Sequence, residues 1–78
     1  MKVKYIKTDE NTIIIFSEYL SHDDFESFKP VSAGFISIGV DENFSLSCVC
    51  YGESISLGLK SEEIDSILAG KQILGLDY

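Results

Sequence analysis

The chain contains no arginine. Its 78 residues carry six lysines against thirteen acidic side chains, for a net charge of −7. Gripping nucleic-acid phosphates takes a basic surface, so no direct nucleic-acid binding is expected. The acid surplus suits solubility or a basic partner. Long apolar runs are missing too. No stretch approaches the roughly 18–20 apolar residues of a membrane span. The opening residues Met1-Lys2-Val3-Lys4-Tyr5-Ile6-Lys7 alternate charge where a signal peptide would have an apolar core. The expectation is a cytoplasmic chain with no membrane role. Cysteine is scarce, at two residues, and histidine occurs once. In a chain of that setting the thiols are expected to be reduced. A structural zinc site takes four ligands, and Cys48, Cys50 and His22 fall short, so neither metal nor cofactor is expected. Low-complexity segments and linkers are absent, which leaves a single domain over residues 1–78.

What is present argues for a packed core. Apolar residues make up 45% of the chain, with four tyrosines and five phenylalanines. That composition excludes a disordered chain. A domain of this size buries only about 60–65% of its unfolded surface. Stability then depends on good packing or on association.

The stretch from Gly34 to Leu59 carries the strongest pattern. Side chains on a strand alternate faces. With Asp41-Glu42-Asn43 as a three-residue turn, Val40 opposes Phe44, Ile38 opposes Leu46, Ile36 opposes Cys48 and Gly34 opposes Cys50. With Gly52-Glu53 as a type II′ turn, Cys50 opposes Ile55, Cys48 opposes Leu57 and Leu46 opposes Leu59. Both assignments place the same apolar residues on one face, and a one-residue slip would mix the faces. The reading is a three-strand antiparallel meander.

An earlier hairpin turns on Asp9-Glu10-Asn11 and pairs Thr8 with Thr12, Ile6 with Ile14, Tyr5 with Ile15 and Lys4 with Phe16. The run Thr12–Phe16 is apolar on both faces, which marks a covered interior strand. Lys2, Lys4 and Lys7 mark the first strand as a guarded edge. Ser21 or Asp23 caps a short helix that Pro30 stops, with Phe25 and Phe28 facing the sheet and His22 exposed in the first turn. Ser61 caps a second helix with Ile64, Ile67, Leu68 and Leu74 as its buried stripe and Gly75 as its stop. The tail Leu76-Asp77-Tyr78 is expected to dock. Hairpin plus capped acidic helix occurs twice, a faint internal repeat. The expected fold is α+β, in order ββαβββα, with a mainly antiparallel sheet and both helices on one face.

Candidate chemistry is thin. Cys48 and Cys50 point to one face about 6.8 Å apart, at the limit of disulfide reach, and suit a core. Ser21-His22-Asp23 has the letters of a catalytic triad, but adjacent residues cannot form the relay. The acids at the two helix starts read as solvated. The glycines lack the lysine of a phosphate loop. No catalytic residue is expected. The outward face of the meander is different. Ser37, Ser45, Ser47, Ser54, Ser56, Gly39 and Gly58 leave it flat and uncharged, with Phe35, Val49 and Tyr51 at one end. Such a face is a candidate interface, carried by Phe35, Ser37, Ser47, Val49, Tyr51, Ser54 and Ser56.

Val31-Ser32-Ala33-Gly34-Phe35 and Cys50-Tyr51-Gly52-Glu53-Ser54-Ile55-Ser56-Leu57 resemble a group of small bacterial proteins, some carried on mobile elements or phages. The resemblance spans most of the chain. It implies no activity and transfers no functional residue. The expected function is a non-enzymatic protein-interaction module, homodimeric or with a protein partner. One alternative is an acidic inhibitor or decoy of a nucleic-acid-binding protein. Another is small-molecule binding or a thiol enzyme near Cys48, Cys50 and Tyr51.

Overall fold

The first hairpin forms as its sequence predicts. In the computed structural model, which describes residues 2–76, β1 (Val3–Thr8) pairs antiparallel with β2 (Ile13–Ser17). The register is Lys4↔Phe16, Tyr5↔Ile15 and Ile6↔Ile14. Thr8 N–H donates to the Thr12 carbonyl at 2.9 Å, which closes the turn. A 3₁₀ helix (His22–Phe28), β3 (Pro30–Val40), β4 (Leu46–Tyr51), β5 (Glu53–Ser54), β6 (Leu59–Lys60) and helix α1 (Glu63–Ile73) follow. The fold is α+β, with a four-stranded antiparallel sheet ordered β2-β1-β3-β4 and a small β5-β6 ribbon. Among the described residues no helix is long and apolar enough to cross a membrane.

The strand order overturns the expected roles in the first hairpin. β1 is interior and β2 is the edge. Lysine spacing pointed the other way because it cannot show whether a lysine finds a partner. Lys7 is buried and paired with Glu62 at 2.8 Å and Asp65 at 2.9 Å. Lys4 carries its ammonium out to the Leu20 carbonyl.

The central hairpin keeps its faces but shifts by two residues. Val40 opposes Leu46, Ile38 opposes Cys48 and Ile36 opposes Cys50. The Asp41 side chain accepts from Asn43 and Ser45 N–H at 2.8 and 2.9 Å. That Asx-type closure widens the turn to five residues, with Phe44 rather than Asn43 at positive φ. A two-residue shift returns each side chain to its original face.

The third meander strand does not form. Gly52, at φ 78°, turns the chain out of the sheet after Tyr51. Glu53 and Ser54 then pair with Lys60 and Leu59. The apex of this ribbon is 55–58, not Gly52-Glu53. Its turn inverts the expected faces, with Ile55 89% exposed and Ser54 buried. Ser54 Oγ accepts from Leu57 N–H at 3.3 Å, which consumes the hydroxyl inside the turn.

The two helices lie on opposite faces, not on one. On the first face, α1 packs Ala69, Leu68, Ile73 and Leu74 against Tyr5, Ile13, Ile36 and Cys48. On the second, Phe25 of the 3₁₀ helix stacks on Phe16 at 4.1 Å between ring centroids. Ile6, Ala33, Leu57 and Leu59 complete that core. Phe28 stays half exposed, and His22 is buried instead of exposed. His22 Nε2 lies 2.8 Å from the Gly34 carbonyl oxygen. Both strand faces of β1 are therefore covered, which is why both Tyr5 and Ile6 are fully buried.

Helix α1 begins one residue later than expected. Glu62, not Ser61, is its cap, and its N–H donates to the Asp65 carboxylate at 3.0 Å. Its inward stripe also differs. Asp65, Ala69 and Gly70 are buried, while Ile64 and Ile67 are exposed. The Lys7–Asp65 pair and the small residues Ala69 and Gly70 turn that side of the helix to the sheet. Gly75 adopts a positive φ beyond the C-cap, as expected. Asp77 and Tyr78 of the tail expected to dock lie outside the described residues.

Candidate interaction surface

Strand lengths do not match, and the mismatch creates the surface. β3 has eleven residues and β1 has six. β1 pairing reaches Ile36 and stops. Beyond it, residues 37–40 and 46–49 run on as a two-stranded arm. A side chain there lacks the neighbouring strand that would cover it. Ile38, Val40 and Leu46 fall on the α1 side of the sheet and Val49 on the other, and all four are exposed, Val40 at 59% and Val49 at 56%. Phe44 at the tip is 88% exposed. No charged side chain occurs from Phe35 to Val40 or from Leu46 to Tyr51.

Five of the seven residues proposed for the interface share one face of β3 and β4. The cross-strand pairs are Phe35↔Tyr51, Ser37↔Val49 and Gly39↔Ser47. Phe35 and Tyr51 rings lie 5.8 Å apart, and the Lys2 ammonium stands 5.3 Å from the Phe35 ring centre. Ser54 and Ser56 are not on this face. They belong to the β5-β6 turn, where their hydroxyls lie 3.3 Å apart. With Phe35, they line a separate cavity of about 450 Å³ beside His22. Sequence reasoning missed Ile38, Val40, Leu46 and Phe44 as surface, because alternation assigned all four to a core face. The signal available was length, since a six-residue strand cannot cover an eleven-residue neighbour.

The two sheet edges differ in their protection. At the β2 edge, Ile13 N–H donates to Gln72 Oε1 at 2.7 Å, and Gln72 Nε2 donates to the Asn11 carbonyl at 2.7 Å. At the β4 edge, Cys50 N–H donates to Ser66 Oγ at 2.8 Å. The Cys50 N–H thus points away from β3. By the alternation of antiparallel ladders, the backbone groups of Cys48 and Leu46 point outward as well. Natural edges are commonly guarded by lysine, proline or a bulge. The segment Leu46-Ser47-Cys48 has none of these residues.

The thiols face α1, on the opposite side of β4 from Tyr51. Cys48 donates to the Ser66 carbonyl at 3.5 Å. Burial pushes the Cys50 thiol up to about 11, and the nearby Asp65 carboxylate adds to the effect. Burial raises Cys48 as well. A neutral thiol is a poor nucleophile. Native Cys50 is therefore expected to react with iodoacetamide at pH 8 about 100-fold more slowly than in the unfolded chain, where an ordinary thiol titrates near 8.5. Equal rates, followed by mass spectrometry, would contradict this placement.

A buried polar cluster joins β1 to α1. Tyr5 OH donates to Asp65 at 2.5 Å, and Lys7 bridges Asp65 and Glu62. Burial and the Asp65 carboxylate push the Tyr5 hydroxyl far above its ordinary range. Hydrogen bonds from Tyr5, from the Glu62 backbone and from Lys7 hold Asp65 below its ordinary range against the opposing effect of burial. Asp65 is fully buried, so the cluster reads as a structural tie. Compared with protein-family models, with curated proteins and with solved structures, the chain finds no match.

Proposed function

We propose that the chain is a non-enzymatic protein-interaction module that takes its partner on the β3–β4 arm. The observation that carries this reading is the uncovered apolar surface of the arm, with Ile38, Val40, Leu46 and Val49 exposed along it and Phe44 at its tip. Contiguous exposed apolar surface marks interaction sites, and interface centres are poor in charge. The raised thiols of Cys48 and Cys50 weigh against the thiol-enzyme alternative. The decoy reading must instead use acids off the strands of the arm, such as Asp23, Asp24 and Glu26, or Asp41 and Glu42 in the turn at its tip. Free thiols suit a cytoplasmic setting.

The test is a pair of charges on opposite faces of the arm. Val40→Lys with Val49→Lys is expected to weaken capture of the partner at least tenfold, since anchors buried at an interface centre are costly to alter. Its thermal melt is expected to stay close to that of the parent, because both positions are exposed. Undiminished capture by a folded double variant would sink the reading.

A further inference from the structure

We infer that the partner on this arm is a second copy of the chain, joined edge to edge through β4 with a two-fold axis at Ser47. The inference rests on the interaction reading above and goes further by naming the occupant and the register. The open part of the β4 edge is short. The bond from Cys50 N–H to Ser66 Oγ ends it on one side, and the turn beginning after Val40 ends it on the other. Between them, ladder alternation turns the N–H and C=O groups of Leu46 and Cys48 outward; Leu46 is 45% exposed, and the Cys48 side chain is buried against α1. A longer foreign strand would meet Ser66. A second β4, antiparallel about Ser47, fits the open span. Leu46 then faces Cys48 of the second copy, and Cys48 faces its Leu46. Each such pair exchanges two backbone bonds, so all four outward groups on each edge are used. The two sheets join into one of eight strands.

The side chains agree with the same occupant. The edge offers an uncharged strand with exposed apolar residues on both sides and asks for the same chemistry in return. A basic partner would find no carboxylate on Leu46–Tyr51 to pair with. The second copy also sets its Cys48 beside Leu46 on the α1 side of the joined sheet, where no strand of the first copy reaches that edge. Each copy carries a net charge of −7, so the copies repel at long range. Salt screens that repulsion, and self-association is expected to tighten as salt rises. Binding of a basic partner would weaken instead.

The experiment combines sedimentation velocity across salt concentrations with site-specific crosslinking. In the proposed register Ser47 and its symmetry mate form a non-hydrogen-bonded pair about 4.5 Å apart at Cα, within disulfide reach. Ser47→Cys is expected to give a disulfide dimer through position 47 on mild oxidation, mapped by peptide mass spectrometry. Val49→Cys is not, because two-fold pairing sets Val49 against Ser45. Leu46→Lys is expected to shift the parent dimer to monomer with an unchanged circular dichroism spectrum. A dimer that crosslinks through Val49→Cys and not Ser47→Cys overturns the edge register in favour of face packing. A folded chain that stays monomeric at high micromolar concentration and high salt overturns self-pairing. If that monomer still captures another protein and Val40→Lys with Val49→Lys abolishes the capture, the interaction reading stands without the self-pairing. If it captures nothing, both fail.

Discussion

Asp65→Asn is expected to lose about 3–5 kcal/mol of stability, the cost of breaking one side of a buried ion pair. Asp65 is fully buried and lies 2.9 Å from the Lys7 ammonium. It also accepts from Tyr5 OH and from the Glu62 backbone. Without its charge, Lys7 keeps only Glu62, whose side chain is 52% exposed. A domain holds about 5–15 kcal/mol in total, so the variant is expected to be largely unfolded in dilute urea. Glu62→Gln touches the exposed partner and is expected to cost at most about 1 kcal/mol. Replacing the whole group, with Tyr5→Phe, Lys7→Met and Asp65→Leu together, is expected to restore most of the loss, because apolar substitutes for buried charge are well tolerated. Urea denaturation orders the three variants. An unchanged midpoint for Asp65→Asn would refute the role assigned to the cluster.

The same group sets a pH dependence with a definite sign. Asp65 titrates below its ordinary range in the folded chain. Its contribution is complete above that ordinary range and is lost as pH falls through the folded value. Lys7 titrates above its ordinary value, through its hydrogen bonds to Glu62 and Asp65. Its contribution is complete below the ordinary lysine value and is lost as pH rises through the folded one. Between those limits the cluster contributes a flat plateau. Acid unfolding below about pH 4 is expected to be shallower in Asp65→Asn than in the parent.

Gly34→Ala is the second large effect. A Cβ on Gly34 would lie 2.3 Å from the Tyr51 carbonyl oxygen and 3.2 Å from the Gly52 backbone. Those are backbone atoms, so no rotamer change relieves the clash. β3 and β4 must part where Phe35 meets Tyr51, and the Gly34 carbonyl also holds His22. The expected loss is about 3 kcal/mol, the upper end of overpacking costs. Gly39→Ala is the control, since nothing lies within 4 Å of its added methyl. It is expected to stay within about 0.5 kcal/mol of the parent. Equal melting of the two variants would show that β4 does not pass Gly34 at this distance.

The pattern of faces was legible in the chain because alternation is local. It grouped Phe35, Ser37, Ser47, Val49 and Tyr51 on one face, and the two-residue shift at the Asp41 turn left that grouping intact. The first hairpin register was legible for the same reason, from a turn and a period. Gly52-Glu53 misled, because a glycine that can adopt positive φ can close a hairpin or lead out of one. Ile55 and Ser54 were inverted as a consequence.

Local chemistry thus specified β1 to β4 and their faces, the first turn and both helix starts to within a residue, but not the ribbon that follows Tyr51. Tertiary structure alone decided which strands neighbour each other, which helix covers which face and where the sheet stays bare. Lys7 shows why. From its spacing it guards an edge, and only Asp65 and Glu62, at the far end of the chain, make its burial affordable. The arm shows the same limit. Ile38, Val40 and Leu46 read as core because their alternation is that of a core face. Whether such a face is covered depends on how far β1 extends alongside it, and β1 ends at Val3.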